Sequence, residues 1–408
     1  MLDVLIVGAG PSGLKAAEEL SLTGYSVTII DRMPSPARKF LMAGRGGLNL
    51  THSEEEAAFL SRYRQANSFL APIIEEYSPK RLIEWCHDLG QETFVGTSGR
   101  VFPKVMKASP LLRAWLRRLE AQGVKLRTRQ DFCGFSEDGM ALVKAEDSAP
   151  TPIQARSILL ALGGASWPKL GSNAAWVESM RDHGITINEF QPANCGFLAS
   201  WSDVLKERFS GHPLKGIELS VGSRTVNGEA IVSERGLEGG VVYTLSAEIR
   251  DSIKLAGKAE VRIDLRPSHS SDDLVLKLSR PRGKLSMATY LKKILKFKPV
   301  EYALIREAGP IPNDPEDLAA RIKSVAVTCH APYPIDRAIS SAGGISLDEV
   351  TETLMLKKIP GVFIAGEMLD WEAPTGGYLL QACIAMGHCA AKGIAAYLDT
   401  DNTGDNLG

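Results

Sequence analysis

The apolar pattern changes period twice between Leu2 and Asp31. Val4, Leu5, Ile6 and Val7 form an unbroken run, the signature of a strand buried on both faces. Behind it the period lengthens, and Leu14, Ala17 and Leu20 fall on one face of a helix that Gly24 closes. From Ser26 to Ile30 the run is strand-like again and stops at Asp31. Strand, helix and strand predict a parallel βαβ unit. The turn inside it is Gly8-Ala9-Gly10-Pro11-Ser12-Gly13. The first glycine permits the tight turn, the second lets backbone N–H groups approach a pyrophosphate, and the third lets the helix lie close to the strand. Asp31 can accept both hydroxyls of an adenosine ribose, and its charge repels a 2′-phosphate there. A glycine turn alone also serves purely structural ends, but with both strands, the helix and the terminal acid in order it predicts a nucleotide site.

After Arg32 the segment from Pro34 to His52 is too rich in glycine for a regular element. Arg38, Lys39, Gly44, Gly46, Gly47 and Asn49 make it either a ligand-lining loop, with phosphate and ring contacts, or an ordinary exposed basic loop. Residues 54–90 show helical spacing, and Ser109-Pro110 reads as the N-cap and first position of a further helix. Short strands are expected at Val124–Arg127 and Met140–Val143, and a buried one at Ile158–Leu162, running into Gly163-Gly164. Between 191 and 330 the texture becomes alternating and strand-rich, then helical and basic, which predicts an inserted second domain. Within it, Gly236–Val241 precedes an apolar run, either to present N–H groups to a ligand or as a simple turn. Ile359–Ala365 is expected to form another buried strand, ending in Gly366-Glu367. Thr375, Gly376, Gly377, Tyr378 and Leu379 then open a helix whose first turn offers free N–H groups and a partial positive charge.

The chain has 408 residues, 44% hydrophobic, enough for two domains. With 47 basic and 48 acidic residues its net charge of -1 favours neither a nucleic-acid nor a membrane partner globally. The six cysteines form no CxxC pair, so no metal site is expected and inert thiols of a reducing cytoplasm are. No basic leader and no membrane-length apolar stretch are read, which predicts a soluble cytoplasmic protein.

Four blocks together resemble the BaiN/RdsA family of FAD-dependent oxidoreductases: Gly8–Gly13, Arg38–Asn49, Ala342–Ile345, and Gly366–Asp370 with Gly376–Gln381. The resemblance spans nearly the whole chain. It implies an α/β fold with a Rossmann-like FAD-binding domain made from both chain ends, 1–190 and 331–408, and a β-rich plus helical lid domain inserted at 191–330. It implies FAD as resident cofactor, with the N-terminus of the last helix facing the reduced flavin. Many relatives carry Arg-Cys-Asn where this chain has Gly47-Leu48-Asn49, so a role for that thiol as general acid does not transfer.

The reaction implied is NAD(P)H-driven reduction of an activated carbon–carbon double bond in a small molecule, with ping-pong kinetics because only one dinucleotide turn is present. Oxidation of a small amine, and an RNA-directed uridine-reducing or redox-sensing role, are the alternatives. His52 and Tyr378 are the candidate proton donors. An RNA role rests on Lys277–Lys298, which holds Arg280, Arg282, Lys284, Lys292, Lys293 and Lys296 and no acid. Ser286 is expected to cap a helix there, with Met287, Tyr290, Leu291, Ile294 and Leu295 buried. Its basic face is either solvated or the seat of an anionic partner.

Overall fold

Val4, Leu5, Ile6 and Val7 are no more than 2% exposed, because their strand, Leu2–Val7, lies at the centre of a five-stranded parallel sheet. The strand order is 362–364, 155–160, 2–7, 27–31, 125–128, and the helix Pro11–Leu22 makes the first crossover. The computed structural model describes residues 1–146 and 148–404. They form two compact units, one from Met1–Gln191 with the segment from Ser340 onward, the other Pro192–Ile339.

In the first unit the C-terminal helix, starting at Tyr378, packs along Pro11–Leu22. A Cβ added at Gly387 would sit 2.4 Å from the Ser12 carbonyl oxygen, so the two backbones touch there. Residues Tyr378–Thr400 are long and apolar enough to cross a membrane, which corrects the expectation that no such stretch exists. The reason is burial: 67% of their most apolar window is inside the unit, as a core helix requires.

Beneath the first helix, Glu18 is 3% exposed and carries a full set of donors. The indole N–H groups of Trp85 and Trp115 donate to its Oε2 at 2.9 and 3.1 Å, and Arg118 donates to Oε1 at 2.8 Å. Lys15 lies 3.4 Å from Oε2. A buried charge is tolerated only when paired and hydrogen-bonded in this way.

The second unit is a closed barrel of six strands, in the order 197–199, 236–238, 224–232, 212–221, 259–264, 325–332, with helices packed on it. Strand Val325–Pro332 pairs with both 259–264 and 197–199. This unit therefore runs beyond 330, to Ile339, because a stave of its barrel straddles the boundary expected from composition. Gly236–Glu238 is another stave; a Cβ at Gly236 would meet the Phe197 carbonyl oxygen at 1.9 Å, which assigns this glycine to packing. Ser286 caps Met287–Leu295 as expected, accepting from Thr289 N–H. The helix expected from Ser109-Pro110 instead starts at Ala108 after Lys107. Pro110 then sits at the third position, where its missing N–H is one of the four that no intrahelical acceptor needs.

Glu18→Ala strands Lys15, Arg118 and two indole N–H groups. The expected loss is about 3 kcal/mol or more, read as a lowered urea midpoint, with Glu18→Gln milder. A midpoint equal to wild type would mean the cluster contributes nothing.

Candidate functional site

The glycine turn opens into a cleft of about 790 Å³ in the first unit. Of the residues expected to hold a cofactor, Gly8, Gly10, Pro11, Ser12, Asp31, Arg32, Arg38, Lys39, Gly163, Gly366 and Glu367 line it. The three turn glycines divide their work. At Gly8, φ is +106° and a Cβ would strike the Ala161 carbonyl oxygen; at Gly13 a Cβ would lie 2.0 Å from the Gly8 carbonyl oxygen. At Gly10, the N-cap of the first helix, a Cβ would meet no protein atom within 4 Å. Two glycines therefore hold the turn against its own scaffold, and the third leaves space above the helix N-terminus for an anion.

Asp31 Oδ2 accepts from Ala9 N–H and Oδ1 from Met33 N–H, both at 2.8 Å. Burial pushes its pKa up, against those two donors. Each oxygen keeps a lone pair for a ribose hydroxyl. Deeper along the cleft, Lys39 Nζ donates to Ser166 Oγ and to Glu367 Oε2, at 2.7 Å each. Glu367 Oε1 is buried without a donor. Cys383 borders the same cleft, its thiol pushed up to about 12 by burial and then by the Glu367 charge, so it stays protonated.

A dinucleotide such as FAD fits these residues. The space over Gly10 suits a pyrophosphate, the free lone pairs of Asp31 suit a ribose, and the Glu367 Oε1 acceptor lacks only a hydroxyl or N–H donor. Asn49 Oδ1 and Thr51 Oγ1 are likewise buried without partners.

The other expected residues do not line the cleft: Gly13, Gly44, Gly46, Gly47, Asn49, Gly164, Thr375, Gly376, Gly377, Tyr378 and Leu379. Several are packing positions. A Cβ at Gly44 would lie 2.5 Å from the Ala108 Cβ, and one at Gly164 2.0 Å from Ser341 Oγ. Gly377 has φ +96°, and a Cβ there would lie 2.5 Å from the Thr51 Cα. A side chain there collides with protein first. Leu48 is 1% exposed in the core. Gln130, Phe132, Ser172 and Cys383 line the cleft with no motif to announce them.

His52 and Tyr378 come together beside a second cavity of about 1330 Å³ that His52 and Glu54 border. Their rings stack at 5.6 Å. His52 Nε2–H donates to Ser98 O, while Nδ1 accepts from Glu54 N–H. The Tyr378 hydroxyl donates to Glu54 Oε1 at 2.5 Å, and Arg62 grips the same carboxylate through Nε and Nη2. Burial, and then Glu54, hold the Tyr378 pKa well above its usual value. Glu54 is lowered, the donors of Arg62 and Tyr378 outweighing burial. Both candidate acids thus spend their protons on protein acceptors. Among the described residues no three His, Cys, Asp or Glu side chains gather to hold a metal.

The description "HI0933-like protein Rossmann domain" matches residues 2–393. Over 96% of its length the chain is 24% identical to a 3-dehydro-bile acid delta(4,6)-reductase of Clostridium scindens, covering 98% of that protein. It is 23% identical to a ribosomal RNA dihydrouridine synthase of Haemophilus influenzae, again over 96% and 98% of the two chains. Its fold is similar to that of the 3-ketosteroid delta1-dehydrogenase of Sterolibacterium denitrificans, with a TM-score of 0.55 at 13% identity, covering 97% of this chain and 99% of that one.

Two glycine substitutions separate the cleft from its scaffold. Gly10→Ala is expected to leave the melting temperature of flavin-free protein unchanged and to weaken FAD binding about tenfold or more, by direct titration. Gly377→Ala is expected to lower the melting temperature of the flavin-free protein, since it forces a Cβ into Thr51 at positive φ. The reverse pattern would place the cofactor at the last helix and not at the turn.

Proposed function

As a member of the HI0933-like protein Rossmann family, the chain is an FAD-dependent oxidoreductase, and we propose that it uses NAD(P)H to reduce an activated carbon–carbon double bond in a small molecule. The observation that carries this reading is chemical. A delta(4,6)-reductase of a 3-keto steroid and a dihydrouridine synthase, the two names borne by the relatives, both denote saturation of a double bond conjugated to a carbonyl. Two unlike substrates share one reaction. Bound FAD supplies the two-electron carrier that such a reduction needs.

The chain's own residues then do the holding. The N–H groups after Gly10 would take the pyrophosphate, Asp31 the ribose, and Glu367, fixed by Lys39 and with its Oε1 unpartnered among the described residues, a hydroxyl or N–H of the cofactor. The conjugated carbonyl makes the acceptor electrophilic, so proton delivery to the neighbouring carbon completes the reduction. The second reading, an RNA substrate, is favoured by the dihydrouridine synthase relative. All six cysteines are free, which suits the cytoplasmic location we propose.

The test is anaerobic stopped-flow: bleaching of the bound flavin by NADH or NADPH, then reoxidation by enones, quinones or RNA. Bleaching by a small amine and by neither nicotinamide would replace the proposal with an oxidase. A general acid contributes roughly 10²- to 10⁴-fold. Because His52 and Tyr378 are both committed to protein acceptors, His52→Gln and Tyr378→Phe are each expected to keep turnover within about tenfold of wild type, below that range. A loss of about a hundredfold or more in either assigns it as the donor.

A further inference from the structure

The basic stretch Lys277–Lys298 does not remain one surface in the fold. Lys277 Nζ is hydrogen-bonded to His269. Tyr290 is buried, its hydroxyl bonded to the carbonyls of Leu278 and Arg280, and Phe297 is buried with the Arg266 guanidinium 4.3 Å from its ring centroid. Lys292, Lys298 and the buried Phe297 border a groove of about 1290 Å³ within the second unit. Two more segments complete it: Arg208 and Phe209 at the end of helix Asp203–Phe209, far back in the chain, and Tyr302 and Arg306 on helix Pro299–Glu307, which starts directly after Lys298.

Four cations therefore converge, and among the described residues none of them is in an ion pair. The one acidic lining residue, Glu307, already accepts from the N–H and hydroxyl of Ser202. Phe209 and Tyr302 are half-buried, so each keeps ring surface on the groove. Unpaired cations call for an anion of high charge density, and aromatic surface beside them calls for a flat ring on the same ligand.

We propose that this groove binds a nucleoside phosphate, with Arg208, Lys292, Lys298 and Arg306 on the phosphates and Phe209 and Tyr302 against the base. A strand of RNA needs a continuous cationic track. Here Arg280, Arg282, Lys284, Lys293 and Lys296 lie outside the groove lining, which favours a compact ligand. The nucleoside phosphate is either a free nucleotide or the phosphate-bearing end of the pyridine nucleotide; only the second rests on the proposed function.

The experiment titrates ADP, NADP⁺ and a short oligouridylate separately into the FAD-loaded protein by calorimetry, alongside Arg208→Gln/Lys292→Gln. Both side chains are exposed, and retained flavin with an unchanged melt certifies the variant's fold. Expected is one ADP or NADP⁺ per chain, weakened about tenfold or more in the variant. NADP⁺ alone binding assigns the pyridine nucleotide, ADP alone a free nucleotide, and both the shared adenosine phosphate end. Binding of neither, or binding that the variant keeps in full, overturns the proposal. Oligouridylate bound where neither small nucleotide binds overturns it too, and makes the groove a strand-binding surface. Failure of NADPH to bleach the flavin, with variant-sensitive ADP binding intact, removes only the reductant of the proposed function.

Discussion

Backbone must touch backbone at the turn between the first strand and the first helix, and the first unit is arranged to allow it. Gly8 presses on Ala161, just past the end of the neighbouring strand, Gly13 folds back on Gly8, and Gly387 of the last helix meets the Ser12 carbonyl. A side chain at any of these points would need space that backbone already fills, and backbone cannot rotate away as a side chain can. The same crowding explains why Gly10 stands apart. With its neighbours fixed from three sides, the one direction left open above the helix N-terminus is toward the cleft, where the orphan N–H groups of the first turn need an anion.

Charge burial follows from that geometry. The first helix is trapped between the sheet and the last helix, so its polar residues cannot reach water and must be answered inside. Glu18 is answered by two indoles and Arg118, Lys15 by Glu19 at 2.7 Å. In the cleft the answer is left incomplete: Lys39 satisfies one oxygen of Glu367 and nothing satisfies the other. A buried acceptor without a donor costs about 1–3 kcal/mol. The contrast between a closed structural cluster and an open one is a physical criterion for a ligand site that needs no relative to support it.

What was legible in the chain was what local period can carry. The first strand, the helix and the acid at the end of the second strand all stand within a residue or two of their expected places, since burial on both faces leaves an unmistakable apolar run, and the strand before Gly366 is present but starts at Val362, three residues later than expected. The barrel boundary was missed because a stave is defined by its partners, and Val325–Pro332 finds its own more than sixty residues back in sequence, at 259–264. The packing of Gly377 is hidden for the same reason: Thr51, against which it packs, is distant in the chain. The membrane-like length of the last helix escapes a reading along the chain because its alanines and glycines are moderately apolar one by one, and only its partners make it a core helix.

The basic stretch carries the lesson furthest. Read along the chain, eight cations without an acid form a single patch, and Tyr290 and Phe297 are too few aromatics to line a nucleic-acid groove. Folding redistributes both. Helical rotation sends Lys292 to the groove and Lys293 away from it, Tyr290 is spent on two carbonyls in the interior, and Phe297 is joined in the groove lining by Phe209 and Tyr302, neither of which belongs to the stretch. Charge density along a sequence therefore measures what must be solvated or neutralised. Where an anion can be held is decided by which cations remain unpaired after the helices have docked, and in this chain Arg208, from a helix far back in the sequence, joins Lys292, Lys298 and Arg306.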